Sequence, residues 1–189
     1  METEKLLSPQ ESLNIITEAI AKTKDNFREN SFCFLLWGWL IAIASILFFI
    51  LEKFTAVSYY FIPFPVLGGI GIIITFMYYQ KKKASTQTHL NNFLLKLWAV
   101  LAVAFIITVF INVSHKQLPF TDTLIIAGIG TLLSGWVMKF KPLVIGGIIF
   151  LLMAIASVYI ENEYKALIHG LAILTGYLIP GYLLKQSKV

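Results

Sequence analysis

Two ionisable side chains, Lys96 and His169, lie inside long apolar stretches of this sequence. A charged or titratable group is costly in hydrocarbon, so such residues often serve proton transfer, ligand binding or catalysis. Lys96 comes about one turn into its stretch, where its long side chain can extend to the aqueous boundary, and we expect it to be structural. His169 lies about one turn from the opposite boundary. We expect it either to contact a neighbouring helix or to bind a proton or ligand.

A proline–glycine pair, Pro180-Gly181, interrupts the last apolar stretch near its end. Proline removes a backbone donor and kinks a helix, and the freed carbonyl can line a substrate site. The pair can also simply shape the turn out of the apolar stretch. Pro180 and Gly181 therefore join His169 and Lys96 as candidate functional positions.

The sequence lacks the patterns that perform catalysis or bind cofactors. It contains no Gly-x-Ser-x-Gly, no phosphate-binding loop and no His-Glu-x-x-His. His89, His115 and His169 are scattered, without Cys or carboxylate partners at ligand spacing. The single cysteine, Cys33, excludes an internal disulfide. We therefore predict that the protein is not an enzyme, with no catalytic residues, no cofactor and no metal.

The composition shows which solvent these residues meet. The 189 residues are 58% hydrophobic and only 13% charged, and the mean hydropathy is +0.79. Soluble domains carry about 45–50% apolar and about 25% charged residues, so this chain could not cover a soluble fold with polar surface. Several apolar stretches must face lipid. The net charge of +5 suggests membrane topology rather than nucleic acid, because the lysines lie between apolar stretches.

Uncharged windows of the right length predict an all-α bundle of six transmembrane helices, at 32–51, 58–79, 93–113, 120–138, 143–160 and 166–184. We take these spans to be free of Asp and Glu, which argues against an intramembrane enzyme. The predicted organisation is a cytoplasmic helix and juxtamembrane segment at 1–31, a membrane bundle at 32–185 and a cytoplasmic tail at 186–189.

Faint internal similarity suggests three helical hairpins. "AIAS" occurs at 42–45 and again at 154–157, and "PFPVLGGIG" echoes "PFTDTLIIAGIG". Apolar helices also produce such echoes by chance, so true repetition stays open. Small residues occur at four-residue spacing in span four, and glycines occur at 68–71 and 146–147. They predict close helix crossings, which we expect within the chain rather than at a dimer interface.

The cations predict the orientation. Twelve of the fifteen Lys and Arg residues lie at every second span boundary, and only Lys53, Lys116 and Lys165 lie at the others. Cytoplasmic loops carry an excess of cations, so both termini are predicted to be cytoplasmic.

Residues 8–30 predict an amphipathic helix. Ser8 and Pro9 suit its first positions, and Glu11 can complete a capping box. Leu13, Ile16, Ile20 and Phe27 form an apolar stripe. The polar face carries mixed charges, unlike the basic face of most lipid-binding helices. The stripe could pack on its own bundle, on another copy or protein, or on the membrane surface. The helix could continue straight through Asn30 and Ser31 into the first span, which would project the stripe toward a partner, or it could break there. We expect a break that folds the helix under the bundle.

Three stretches carry a resemblance: "ENSFCFLLWGWL", "LLSGWVMKFKPLVIGG" and "YLIPGYLLK". Together they resemble a group of small bacterial multi-pass inner-membrane proteins with a short cytoplasmic N-terminal helix and an Ile-Pro-Gly-Tyr-Leu-Leu end. The resemblance implies the bacterial inner membrane and no particular activity, so it assigns no site residues.

These observations predict an accessory or regulatory inner-membrane protein. Its expected partners are the lipid bilayer and either a protein or a second copy bound through the N-terminal helix, with no nucleic acid. The alternative is a small transporter or channel-like protein for a neutral or amphiphilic solute, which would use Pro180-Gly181 and the small-residue faces of spans two and four.

Overall fold

A computed structural model of the protein describes residues 9–81 and 89–187. The helices within these ranges are α1 Pro9–Phe54, α2 Pro63–Lys81, α3 His89–Ser114, α4 Phe120–Val137, α5 Lys141–Val158, α6 Asn162–Ile173, a π-helical turn Leu174–Leu178 and α7 Ile179–Gln186. Six stretches of these ranges are long and apolar enough to cross a membrane, namely Ser31–Phe54, Pro63–Gln80, Leu90–Ser114, Phe120–Val137, Lys141–Val158 and Asn162–Gln186. The chain is therefore a multi-pass membrane protein, and the predicted six-helix fold class is confirmed.

Consecutive spans run in opposite directions, so the bundle has two ends. We call the end at which α1 enters the bundle, at Ser31, the near end. The opposite end, where α1 stops at Phe54 and α6 starts at Asn162, is the far end. The connection between α4 and α5 lies at the near end, and the connection between α3 and α4 lies at the far end.

Helix α1 continues without interruption from Pro9 to Phe54. The predicted break at Asn30–Ser31 is therefore wrong. No Pro or Gly lies between Pro9 and Gly38, and Asn and Ser lower helix propensity only modestly. The helix has 46 residues and its apolar part has 24, so the remaining 22 residues extend about 33 Å beyond the near end. Ser8, the predicted N-cap, lies outside the described residues.

Helices α4 and α5 form the tightest pair, because glycines remove the side chains that would separate them. A Cβ atom built on Gly147 would lie 2.6 Å from Leu132 N, and one built on Gly135 would lie 2.6 Å from Val144 N. Backbone is thus in contact with backbone. The predicted close crossings within the chain are confirmed at these positions.

The glycines of α2 behave differently from one another. Gly71 lies against the side chains of Trp37 and Leu40 on α1, as predicted for a close crossing. At Gly68 and Gly69 the structure shows no described atom within 4 Å of a built Cβ. Within the described part of the chain, these two residues therefore take no part in a close helix crossing.

The sixth span is irregular just before its proline. Pro180 has no backbone N–H, so it cannot donate to the carbonyl of Gly176 four residues earlier. The chain instead forms the π-helical turn Leu174–Leu178 and then continues as α7. A Cβ on Gly146 of α5 would lie 2.6 Å from the Gly176 oxygen, so α5 and this turn are in close contact.

The aromatic core of the bundle surrounds Tyr177, which lies in the π-helical turn. Its ring centroid lies 4.8 Å from that of Phe150, 5.7 Å from that of Phe34 and 6.3 Å from that of Trp98. Helices α1, α3 and α5 therefore meet at the sixth span. Helix α2 packs on α1, and α3 packs on α4. The other faces of α2 and α3 are apolar and exposed, as suits contact with lipid.

Candidate functional site

His169 lies about two turns into α6 from the far end and is only 5% exposed. Its Nδ1 atom is 2.9 Å from Ser45 Oγ on α1, and its Nε2 atom is 3.3 Å from Thr123 Oγ1 on α4. One imidazole therefore links three helices that are far apart in sequence. Of the two roles that the sequence leaves open, the structure shows the polar contact with neighbouring helices.

Each hydroxyl at this site has a second hydrogen-bond partner. Ser45 Oγ lies 2.9 Å from the Ile41 carbonyl oxygen, and Thr123 Oγ1 lies 2.9 Å from that of Phe120. When a hydroxyl donates to its carbonyl, its lone pair can accept from the ring. When the hydroxyl rotates, it donates to the ring. Hydroxyl rotation alone can therefore satisfy His169 with its hydrogen on either nitrogen.

Aromatic rings surround the imidazole on its remaining sides. The ring centroids of Phe120 and Phe64 lie 5.2 Å and 6.0 Å from that of His169. Phe48 packs edge-on against Phe120 at 5.1 Å. We call the cluster of Phe48, Phe64 and Phe120 the far-end core. Beside it, the side chains of Ser45, Thr123 and His169 are buried. Such an arrangement joins helices through satisfied polar contacts, which lipid-embedded bundles use as internal ties.

Lys96 is remote from this site. It lies on α3 near the near end and is exposed, whereas His169 lies toward the far end. The expectation that the Lys96 side chain extends to the aqueous boundary agrees with this position. In the part of the chain that the structure describes, no three His, Cys, Asp or Glu side chains lie close enough to hold a metal ion.

Pro180 and Gly181 lie at the near-end half of the sixth span, and both are buried. Pro180 Cγ lies 3.1 Å from a Cβ built on Gly146, and Gly181 lies against the side chains of Leu35 and Phe34. The pair is packed between α5 and α1. It is separated from His169 by the π-helical turn, so the candidate polar and kink positions do not converge on one site.

The predicted docking stripe is partly described. Leu13 is 63% exposed. Ile15, two residues later and therefore on a different face of the helix, is 51% exposed. The side chains of Ile16, Ile20 and Phe27 lie outside the part of the structure that is described. The described apolar side chains at the start of α1 are therefore open to solvent.

The sequence reasoning missed a polar pair at the far end. Asp122 lies in the first turn of α4, so the assumption that the spans hold no Asp or Glu was wrong. Asp122 directly precedes the uncharged window of the sequence, which starts at 123. Asn112 Nδ2 donates to Asp122 Oδ2 over 2.7 Å and to the Thr108 carbonyl oxygen over 3.0 Å. An Asn near the end of one apolar window and an Asp at the start of the next would have indicated this pair.

The fold and the buried histidine define a multi-pass α-helical membrane protein whose spans are joined by internal polar contacts. No protein-family model, curated protein or solved structure matches the chain. Its function must therefore be inferred from its own residues.

Proposed function

We propose that this chain is a non-enzymatic accessory or regulatory protein of a bacterial inner membrane, with both termini in the cytoplasm. In this orientation the near end, where most cations lie, is cytoplasmic. The resemblance to small bacterial inner-membrane proteins supports the same membrane. Reporter fusions after residues 85 and 189 should be cytoplasmic and one after residue 117 external. The opposite pattern would reject the orientation.

The observation that carries the proposal is the length of α1. The helix extends about 33 Å past its apolar part, with Leu13 and Ile15 exposed near its start. An uninterrupted helix directs these side chains away from the bundle that begins at Ser31. This supports another protein as the partner over the protein's own bundle. The mixed charges on the polar face favour a protein over the lipid surface.

The polar groups inside the spans support a non-enzymatic role. The imidazole of His169 has its nitrogens engaged by Ser45 and Thr123 and is enclosed by phenylalanine rings. Lys96 lies toward the other end of the bundle. A catalytic site would need an acid, a base or a nucleophile to converge where a substrate can enter. The His169 side chain is instead used to hold helices together.

Site-specific photocrosslinking in intact membranes tests the partner. A crosslinker at Leu13 should join the chain to one other protein, whereas one at Ile106, an exposed α3 residue, should reach lipid. Leu13→Asp should abolish the protein crosslink while the chain stays in the membrane. Crosslinks from Leu13 only to lipid, or only to the protein's own spans, would reject the proposal.

The alternative, a small transporter for a neutral or amphiphilic solute, would need a polar path to the middle of the membrane. Two described depressions share Asn112 and Asp122 at the far end. Of the α3 residues that line these two depressions, Thr108 lies deepest. It is about 9 Å from the end of α3 at Ser114. This depth suits binding at a membrane boundary better than passage, so the accessory role is the better supported proposal.

A further inference from the structure

A polar depression at the far end lies where four segments meet: the end of α3, the connection that follows it, and the starts of α4 and α6. Its volume is about 390 Å³. Its lining is mainly charged and amide side chains, namely Asn112, Lys116, Gln117, Leu118, Thr121, Asp122, Asn162 and Lys165. Two helices start at this depression, and their N-terminal ends add partial positive charge.

The charges that line the depression leave an excess cation. Asp122 accepts a hydrogen bond from Asn112 through Oδ2, which leaves Oδ1 as a further acceptor. Glu163 on α6 pairs with Lys53 outside the depression. Neither Lys116 nor Lys165 forms an ion pair with any carboxylate in the described ranges. Two lysines and one aspartate give a net charge of +1, which suits one phosphodiester group.

An apolar groove continues from the same place along α3 and α4. Its volume is about 320 Å³, and its lining residues are Thr108, Ile111, Asn112, Asp122, Ile125 and Ile126. Asn112 and Asp122 belong to both the depression and the groove. Ile111 and Ile125 are 50% and 40% exposed. The groove therefore runs from the polar boundary down an apolar surface, where lipid tails lie.

We propose that the depression and the groove together bind one phospholipid. Lys116 and Lys165 hold the phosphate, and Asp122 Oδ1 accepts a hydrogen bond from an amine or hydroxyl of the headgroup. One acyl chain lies along Ile111 and Ile125. Lysine ammonium groups form charge-assisted hydrogen bonds with phosphate oxygens, which supports this placement of the headgroup. The neighbouring Asp122 makes the site selective for headgroups that carry a hydrogen-bond donor beyond the phosphate.

Native mass spectrometry of the full-length protein in detergent tests the proposal. The probes are dioctanoyl phosphatidylethanolamine, phosphatidylglycerol and phosphatidylcholine, together with inorganic phosphate. The first two should bind at least tenfold more tightly than phosphatidylcholine, whose headgroup lacks a donor. Inorganic phosphate should not displace them at equal concentration. Equal binding of the three lipids would overturn the role of Asp122, and equal competition by phosphate would overturn the role of the groove.

Matched variants test whether the lipid binds at this site or is attracted to any lysines at the membrane boundary. Lys116→Gln with Lys165→Gln should weaken phosphatidylethanolamine binding at least tenfold. Lys139→Gln with Lys141→Gln, at the near end, should change it less than twofold. Lys116 and Lys139 are matched in backbone conformation, because both have a positive φ, 57° and 54°. Any strain caused by the substitution should therefore be similar at the two positions. Equal binding by both double variants would overturn the site.

A further variant tests the groove itself. Ile125→Trp should fill the groove and weaken lipid binding, and Ile106→Trp on the exposed face of α3 should not. Thermal unfolding of each variant shows whether it is folded. If folded Ile125→Trp binds lipid like the native chain, the acyl chain does not lie there and the proposal fails.

Discussion

The indole of Trp98 on α3 donates a hydrogen bond from Nε1 to Ser134 Oγ on α4 over 3.2 Å. The same ring lies against Gly130, one turn before Ser134, together with Leu101. The small glycine lets the indole reach across the helix, and the hydroxyl four residues later accepts its N–H. This contact joins the two helices of one hairpin.

The first hairpin repeats this arrangement. Trp37 Nε1 on α1 lies 3.2 Å from Thr75 Oγ1 on α2, and the ring lies against Gly71 together with Leu40. Both hairpins thus combine Trp-x-x-Leu on the first helix with Gly-x-x-x-Ser or Gly-x-x-x-Thr on the second. This structural correspondence supports repetition of at least the first two hairpins, which the sequence left open.

Replacing either indole should weaken its hairpin by a similar amount. Trp98→Phe and Trp37→Phe keep the aromatic packing and remove the N–H donor. Hydrogen bonds between membrane helices contribute about 0.6 kcal/mol on average and up to about 1.7 kcal/mol. We expect each variant to lower the free energy of unfolding by about 1 kcal/mol, measured by denaturant unfolding in mixed micelles.

Trp136→Phe is the control, because Trp136 is 59% exposed and its indole N–H donates to no side chain or backbone group in the described ranges. It should leave the free energy of unfolding nearly unchanged. If Trp136→Phe destabilises the protein as much as Trp98→Phe does, loss of the indole N–H contact is not the cause.

The sequence predicts the spans well because the bilayer imposes their length and apolarity. The predicted fourth span, 120–138, differs by one residue from the observed Phe120–Val137. The partners of His169 were not predictable in the same way. They depend on which helices lie beside α6, and Ser45 and Thr123 look like ordinary small residues of apolar windows. Tertiary packing therefore determines which residues contact His169.

Local irregularities were also beyond the sequence patterns. Pro180 predicts a disturbance in the last span but not its form, the π-helical turn Leu174–Leu178, in which Gly176 packs against Phe150. The sequence leaves open whether α1 continues through Asn30–Ser31, because the end of the charged segment there fits either a straight helix or a break. A change in solvent does not require a break in the helix, since helical hydrogen bonds are satisfied on both sides.

Adding one methyl group between α4 and α5 should destabilise the bundle. A Cβ on Gly147 would lie 2.6 Å from Leu132 N and 2.7 Å from Leu132 Cα. Backbone atoms cannot move aside as a flexible side chain can. Overpacking typically costs about 1–3 kcal/mol, so Gly147→Ala should reduce the free energy of unfolding by that amount in detergent.

Gly68→Ala offers the matched control within another membrane helix. Its built Cβ meets no described atom within 4 Å. Ala is favoured over Gly inside helices by roughly 0.5–1 kcal/mol, so this variant should be neutral or slightly more stable. Equal loss of stability in both variants would show that the α4–α5 contact is not what Gly147 protects.

The buried histidine should be energetically coupled to the serine that it contacts. Ser45→Ala and His169→Ala each remove one side of the 2.9 Å contact between Oγ and Nδ1. Removing either side chain abolishes the same bond, so the double variant should lose less stability than the two single losses added together. The coupling should be about 0.6 kcal/mol and at most about 1.7 kcal/mol, the mean and the maximum measured for hydrogen bonds between membrane helices.

A second cycle keeps Ser45→Ala and pairs it with Thr175→Ala. Among the described residues, Thr175 Oγ1 bonds only to carbonyl oxygens of the same span, those of Leu171 and Ala172. Residues without a shared contact usually give additive effects within about 0.3–0.5 kcal/mol. Additivity in this cycle and coupling in the first would establish His169 as a tie between α1 and α6. Additivity in both cycles would mean that the far-end core is held by its phenylalanine rings alone.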